Sequence, residues 1–154
     1  MLKIISLSTI FFIVSFIGME ISSNYSKKER LFRELLSFCN LMINNIKFNK
    51  NKLYIILKEN INNYSSELRS YLECYINGTK YKSSLISEEQ DIKISEFISG
   101  LGCFDVNGEV GYIENYKSIF YDYHMTAKEN NKKYGSLFSK LGIVSGILLV
   151  ILLI

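Results

Sequence analysis

The sequence predicts an all-α protein, in which a small helical bundle is flanked by an N-terminal and a C-terminal transmembrane helix. Three observations lead to this fold class. Each end of the chain carries a long apolar stretch, apolar residues in the middle recur at spacings of three and four, and the 154 residues include no proline. Such spacings place apolar side chains on one face of a helix. Because proline interrupts helices, its absence favours long ones.

The first apolar stretch, Ile4–Met19, predicts a membrane-spanning helix at residues 2–21. It contains no charged residue and would measure ~24 Å as a helix, a little less than a hydrocarbon core of about 30 Å. Neighbouring residues lengthen it, and Lys3 and Glu20 can reach the headgroups. No A-x-A-like cleavage site follows, which favours a retained anchor over a signal peptide. A small secreted protein with a cleaved signal peptide is one alternative.

The second apolar stretch predicts another membrane-spanning helix at residues 134–154. Its single charge is Lys140, whose long side chain can extend to the nearer headgroups. Tyr134 suits the aromatic belt at a membrane interface. We expect the chain to end at Ile154 because the helix has then reached the far side of the bilayer.

Small residues in both stretches predict close helix packing. Gly142 and Gly146 form a G-x-x-x-G motif, and Gly18 and Ser22 repeat the pattern of two small residues four positions apart. Small residues allow helix backbones to approach closely in lipid. The motif is short, so incidental small residues on a lipid-facing helix are the alternative.

Basic residues beside both stretches predict the orientation of the chain. Cytoplasmic loops of membrane proteins are enriched in Lys and Arg, so residues 22–133 are predicted to be cytoplasmic and both termini to lie on the opposite side. The first basic group is also expected to contact anionic lipid headgroups. The basic residues are Lys27, Lys28, Arg30 and Arg33 for the first stretch, and Lys128, Lys132, Lys133 and Lys140 for the second.

The middle of the chain predicts a series of amphipathic helices. Apolar residues at helical spacing indicate helices within 25–48, 49–61 and 65–76. Asn77-Gly78 is a turn signal that ends the third of these helices. Residues 79–86 fit no single pattern.

A capping box predicts where the next helix begins. Ser87 is the N-cap, and Gln90 stands three residues later. The acidic cluster Glu88, Glu89 and Asp91 is interpreted as the solvated start of this helix, since its spacing does not suit a metal site.

The segment after this helix predicts a turn and then a long final helix. Gly102 suits the end of one helix, and Asp105 is placed to cap the next, with Glu109 in its first turns. That helix continues into the terminal stretch with Gly135 as its one breaker. We expect Leu101, Gly102 and Asp105 to form a partner-binding surface, because their turn should lie farther from the membrane than the first basic group.

The sequence lacks the patterns that most catalytic and metal sites need. His124 is the single histidine, and no phosphate-binding loop occurs. Cys39, Cys74 and Cys103 are widely spaced and are predicted to be buried, reduced thiols rather than metal ligands. The net charge of +3 is too small to indicate nucleic-acid binding. We therefore expect no catalytic residue, no metal and no cofactor.

The order and spacing of several short motifs resemble the stage III sporulation protein AB family of endospore-forming bacteria. The chain begins with MLK, its first apolar stretch closes in GME, and it ends in KLGIVSGILLVILLI. Between them lies FISGLGCFD, which is similar to the family pattern F-x-x-x-LG-x-x-D. The residues that carry the resemblance are Lys28, Arg30, Arg33, Leu35, Phe97, Leu101, Gly102, Asp105 and Ile113. Four positions depart from the family pattern, namely Asn45, Phe48, Lys52 and Glu109, the last of which is usually Gln.

The resemblance implies a non-catalytic membrane platform, or docking subunit, of the channel complex between mother cell and forespore. The family's helical domain is similar to the platform proteins of type II secretion and type IV pilus machines. Its expected partners are a cytoplasmic secretion-type ATPase and other stage III sporulation membrane proteins, and its expected location is the outer forespore membrane on the mother-cell side. A homo-oligomer is left open. The alternative from another class is a membrane-anchored sensor or regulatory protein with an unrecognised ligand.

Overall fold

The computed structural model describes residues 2–46 and 53–153, and all the regular secondary structure within them is helical, as the sequence predicts. A 3₁₀ turn, Ile61–Asn63, follows the second helix, and a π-helical turn, Asn131–Gly135, precedes the last. The predicted helix end at Phe48 and the position of Lys52 lie outside the described residues. The six α-helices are α1 (Leu2–Asn44), α2 (Leu53–Asn60), α3 (Ser66–Ile76), α4 (Glu88–Gly100), α5 (Val106–Asn130) and α6 (Ser136–Leu153).

The helix α1 is longer than the sequence predicts. A first helix was expected at 2–21 and a second from residue 25, but α1 runs without a break through Ser22–Asn24. The connecting residues include neither glycine nor proline, so nothing in the backbone forces the helix to end there.

The chain divides into two compact units. The terminal unit contains Met1–Glu29 and Thr126–Ile154, and the central unit contains Arg30–Met125. The central unit therefore includes α2, α3 and α4 entirely, together with the second half of α1 and most of α5.

Phe97 of α4 lies at the centre of the core of the central unit. Its ring centroid is 6.2 Å from that of Phe38, 5.4 Å from Tyr116 and 5.2 Å from Phe120. Edge-to-face and tilted pairs of this kind add stability beyond the area that they bury. Fully buried neighbours on five helices complete this core, namely Leu31, Leu35, Leu57, Leu68, Leu72, Ile94 and Ile113.

The connection between α3 and α4 is anchored by two carboxylates, and one of them corrects the sequence analysis. Asp91 is 7% exposed, and it accepts hydrogen bonds from the hydroxyl of Tyr71 and, at 3.0 Å, from the backbone N–H of Ser83. The interpretation of Asp91 as a solvated residue was therefore wrong. The spacing of Asp91 in the sequence does indicate that it is buried. Asp91 precedes the buried Ile94 and Ile98 by three and seven positions, which places all three on one helix face.

Glu67 of α3 is the second anchor of this connection. Its carboxylate accepts hydrogen bonds from the hydroxyl of Tyr81 at 3.0 Å and from that of Ser83 at 2.9 Å. Residues 81–83 are thus tied to α3 through Glu67 and to α4 through Asp91. The segment whose structure was ambiguous from sequence is an ordered, non-helical connection, because distant carboxylates satisfy its polar groups.

The local helix signals are confirmed. The side chain and backbone of Ser87 exchange hydrogen bonds with Gln90, at 3.4 and 3.3 Å, in a capping box. Asn77 ends α3, and Gly78 follows with a φ of +67°, a left-handed conformation that glycine adopts without a steric penalty.

We predict that Asp91→Ala lowers the free energy of unfolding by about 1–3 kcal/mol, because it leaves the hydroxyl of Tyr71 and the N–H of Ser83 without an acceptor in a buried place. Denaturant unfolding followed by circular dichroism measures the loss. Glu88→Ala is the control in the same helical turn, where an exposed residue should change the value by less than about 0.5 kcal/mol. Equal losses in the two variants would contradict the anchoring role of Asp91.

Candidate docking site

The turn between α4 and α5 contains the residues that the sequence analysis proposed for partner binding. We define residues 101–106 as the docking turn. Leu101 is the C-cap of α4 and is 3% exposed, so it belongs to the core and not to the surface. Gly102 has a φ of +82°, which lets the chain reverse after α4 without strain. The exposed surface of the turn is therefore formed by the residues after Leu101.

The docking turn is joined to the first turn of α5 by hydrogen bonds. Asp105 caps α5 as predicted, because its Oδ1 accepts the N–H of Gly108 at 3.1 Å. Glu109 is 5% exposed, and its carboxylate accepts the N–H of Gly102 at 2.8 Å and that of Phe104 at 3.4 Å. Sequence reasoning assigned Glu109 to the helix dipole alone, and its role in holding the turn was missed.

Two apolar side chains project from this turn into solvent. Phe104 is 53% exposed and Val106 is 57% exposed, and neither was singled out from the sequence. Cys103 between α4 and α5 is also exposed and Cys74 is half-buried, so the prediction that all three cysteines are buried was wrong for Cys103 and is confirmed in full only for Cys39. Cys103 lies in the turn and not on a buried helix face. Cys39 of α1 is buried, and burial raises the pKa of its thiol to about 12.

The first basic group is divided between the two units. Lys27 is exposed and Lys28 is half-buried in α1, and this burial lowers the pKa of Lys28. Arg33 is exposed. The guanidinium of Arg30 forms an ion pair with Glu34 at 2.7 Å, so Arg30 has a partner within its own helix.

Glu34 links this ion pair to the start of α3. Its Oε2 accepts both the backbone N–H of Ser65 at 2.8 Å and the Ser65 hydroxyl at 2.6 Å. Burial by itself raises the pKa of Glu34, but the hydrogen bonds from Ser65 and Arg30 outweigh it and the pKa is lowered. The ionised carboxylate thus fixes Ser65, which is the N-cap residue of α3.

Small residues bring α1 and α6 into close contact within the terminal unit. A Cβ atom added to Gly18 would lie 2.8 Å from the Cα of Gly142, and one added to Gly146 would lie 2.8 Å from the ring of Phe11. Both distances are below those that real Cβ atoms adopt. A side chain at Gly18 would meet the backbone of α6 and push the helices apart, whereas one at Gly146 would displace the ring of Phe11. Ser22 is half-buried.

Polar and aromatic contacts also join α1 to the residues before and within α6. We call the hydrogen bonds of Asn131 with Ser26 and Glu29 the polar clamp. The side chain of Asn131 donates to Glu29 at 2.6 Å and accepts from the hydroxyl of Ser26 at 3.1 Å. Tyr25 stacks on Phe138, with ring centroids 6.0 Å apart. The clamp is formed by the π-helical turn Asn131–Gly135, and π-helical turns occur frequently at functional sites.

Apolar side chains are widely exposed on the terminal unit. Among the residues that the structure describes, no helix is both long enough and apolar enough to cross a membrane. The large apolar residues exposed on this unit are Phe12, Ile13, Phe16, Ile17, Met19, Ile21, Leu137, Leu141, Ile143, Val144, Ile147, Leu148 and Ile151.

The comparison with protein families decides the identity of the chain. A family model described as stage III sporulation protein AB matches residues 58–154, which is more than half of the sequence. The chain belongs to the stage III sporulation protein AB family. Membership implies a role in stage III of sporulation. The matched region includes the docking turn, the π-helical turn and α6, whereas the first basic group and Gly18 precede it. No curated protein and no solved structure matches the chain.

We predict that Glu109→Ala lowers the free energy of unfolding by about 1–3 kcal/mol, because two backbone N–H groups of the docking turn lose their acceptor. Glu109→Gln keeps one carbonyl oxygen at this position and should lose less than half as much. Asn107→Ala, an exposed neighbour, is the control and should stay within about 0.5 kcal/mol. Thermal unfolding followed by circular dichroism makes the comparison. If the Gln variant lost as much free energy of unfolding as the Ala variant, the loss could not be due to the missing hydrogen-bond acceptor.

Proposed function

We propose that this protein is a non-catalytic membrane platform, or docking subunit, of the stage III sporulation complex between mother cell and forespore. The observation that carries the proposal is the docking turn, where Phe104 and Val106 are more than half exposed on a turn held by Glu109. Well-packed apolar anchors contribute most of the energy at protein interfaces. A turn that is already ordered loses little conformational entropy when a partner binds.

Membrane insertion of the terminal unit is supported by its exposed apolar side chains. Phe12, Phe16 and Ile151 are each more than 60% exposed, and bilayer lipid would cover such side chains favourably. The rings of Tyr25 and Tyr134 lie 6.0 Å apart, and the Nζ of Lys133 is 5.1 Å from the centroid of Tyr134, a combination typical of a membrane–water interface. In this proposal both apolar segments span the membrane and the central unit is cytoplasmic.

The partners in this proposal follow from the family. A secretion-type ATPase and other stage III sporulation membrane proteins are the expected partners, and the outer forespore membrane on the mother-cell side is the expected location. The alternative of a membrane-anchored sensor or regulatory protein would need a ligand pocket, and a cleft between α3 and α4 is the feature that favours it.

We predict that a Phe104→Ser, Val106→Ser double variant loses at least about tenfold in co-purification of its ATPase partner, because the apolar anchors are removed. Ile92→Ser is the control, since Ile92 is 49% exposed on α4 but lies outside the docking turn. Tagged full-length chains isolated from sporulating cells allow the comparison. If the double variant retains its partner while Ile92→Ser does not, the partner-binding surface lies on α4.

The exposed thiol of Cys103 provides a test of orientation. We predict that a membrane-impermeant maleimide leaves Cys103 unlabelled in intact cells and labels it after permeabilisation, because the docking turn is cytoplasmic in the proposal. Mass spectrometry of the Cys103 peptide measures the labelling. The labelling uses cells that express the protein during vegetative growth, when the far side of its membrane faces the medium, and a Lys3→Cys variant is the matched control that should be labelled in these intact cells. Labelling of Cys103 in intact cells would overturn the orientation.

A further inference from the structure

A groove of about 580 Å³ runs along the contact between α1 and α6 in the terminal unit. It opens beside the point where Gly18 and Gly142 meet, because residues without a side chain leave space next to the two backbones. The residues that line it are Val14, Ile17, Gly18 and Ile21 on α1, and Phe138, Leu141, Gly142, Val144, Ser145 and Leu148 on α6.

The surface of this groove is apolar. Among the residues that line it, Ser145 is the one with a polar side chain. Its hydroxyl donates within its own helix, to the carbonyl of Leu141 at 2.7 Å. An occupant that brings only apolar surface therefore leaves no polar side chain of the groove unpaired, and a lipid acyl chain is such an occupant.

Lys28 continues the line of the groove along α1. Val14, Ile21 and Lys28 are seven positions apart, which is close to two helical turns, so they follow one another on one face of the helix. Lys28 lies about 10 Å beyond Ile21 along the axis. Side chains of a helix lean toward its N-terminus, so the side chain of Lys28 is expected to lean back toward the groove.

The ammonium group of Lys28 lacks an anionic partner. Lys28 is half-buried, and in the part of the chain that the structure describes it forms neither a hydrogen bond nor an ion pair. Burial lowers its pKa, and no neighbouring carboxylate counteracts this effect. Because burial of an unpaired charge costs free energy, an anionic group that reached Lys28 would be bound favourably.

The carboxylates of the terminal unit do not neutralise this end of the groove. Glu29 is turned about 100° round the helix from Lys28, and its carboxylate already accepts from Asn131 at 2.6 Å. Glu20 is about 12 Å from Lys28 along the axis of α1, and Glu129 is exposed on α5. These three glutamates are outnumbered by six lysines in the same segments, namely Lys27, Lys28, Lys128, Lys132, Lys133 and Lys140.

Aromatic rings lie at the same end of the groove. Phe138 lines the groove and stacks on Tyr25, with ring centroids 6.0 Å apart. The ring of Tyr134 lies 6.5 Å from that of Phe138, and Lys133 extends over the Tyr134 ring. Tyrosine and lysine side chains are typical of the level at which acyl chains meet headgroups. The groove therefore changes from apolar to basic along its length, as a phospholipid changes from acyl chain to anionic headgroup.

We propose that the groove between α1 and α6 binds one anionic phospholipid, with an acyl chain along residues 14–21 and 138–148 and its phosphate at Lys28. Basic pockets between membrane helices bind such lipids. The inference rests on the membrane insertion proposed above, and it adds a specific site to the general attraction between basic residues and the membrane surface. General attraction would involve the exposed Lys27 as much as Lys28, whereas the site requires Lys28.

Lipid retention by the full-length chain tests the site. The chain is purified in mild detergent and mixed with equal amounts of phosphatidylglycerol and phosphatidylcholine that have the same acyl chains. Native mass spectrometry measures the bound lipid. We expect phosphatidylglycerol to be retained at least about tenfold more strongly than phosphatidylcholine, and equal retention would overturn the proposal.

Extraction with alkaline carbonate separates this inference from the proposed function. The chain is first reconstituted into vesicles of phosphatidylcholine alone. A chain that resists extraction but retains the two lipids equally is inserted in the membrane without the specific site. A chain that carbonate releases would overturn both the insertion and the site.

Lysine variants locate the headgroup. Lys28→Gln should weaken retention of phosphatidylglycerol by about fivefold, and Lys28→Arg should keep most of it because the positive charge remains. Lys27→Gln is the matched control and should change retention by less than about twofold. Circular dichroism checks that each variant is folded. Equal losses in Lys27→Gln and Lys28→Gln would contradict a specific site.

A larger side chain in the groove tests the position of the acyl chain. Ser145→Phe should weaken retention by at least about fivefold, because the new ring occupies the groove. Ile143→Phe is the control, since Ile143 is 43% exposed on α6 and does not line the groove. If Ser145→Phe lowers the oligomeric mass of the protein and leaves lipid retention unchanged, the groove binds a second copy of the chain and the proposal is wrong.

Discussion

The packing of Phe97 against rings of α1 and α5 is the interaction on which the central unit depends. Its ring meets Phe38 on one side and Tyr116 and Phe120 on the other, so a single side chain of α4 joins three helices. Phe97 lies three residues before the end of α4, and because a helix is rigid its packing helps to position both ends. The first end carries Asp91 and the cleft, and the second leads into the docking turn. Truncating this ring would leave a large cavity and would loosen both surfaces together.

Carboxylate side chains accept many of the hydrogen bonds that hold the connections between helices in place. Glu34, Glu67, Asp91 and Glu109 each accept hydrogen bonds from a loop or a helix start. Buried polar backbone groups need partners, and in the described residues these acidic side chains provide several of them. The short connections are therefore ordered without regular secondary structure, and ordered connections can serve as binding surfaces.

The features that could be predicted from the sequence are the local ones. The capping box at Ser87, the end of α3 at Asn77 and the cap at Asp105 involve residues only a few positions apart, so spacing alone reveals them. Tyr71 and Ser65, which donate to Asp91 and Glu34, are 20 and 31 residues away from them in the chain, and no local pattern records such pairs. The exposure of Phe104 could not be foreseen for a different reason, because it depends on the conformation that Glu109, only five residues along the chain, gives to the turn.

The π-helical turn Asn131–Gly135 has a consequence for the length of the chain. A π-helical turn accommodates one more residue than the α-helical turn it replaces. Removal of one residue within it would restore a regular helix and keep Gly142 opposite Gly18. The same deletion between Ser136 and Gly142 would instead rotate the glycine by about 100° away from α1. A deletion of one residue should therefore be tolerated within Asn131–Gly135 and not in the helix that follows. Homologous chains that are one residue shorter would be expected to lack a residue of this turn.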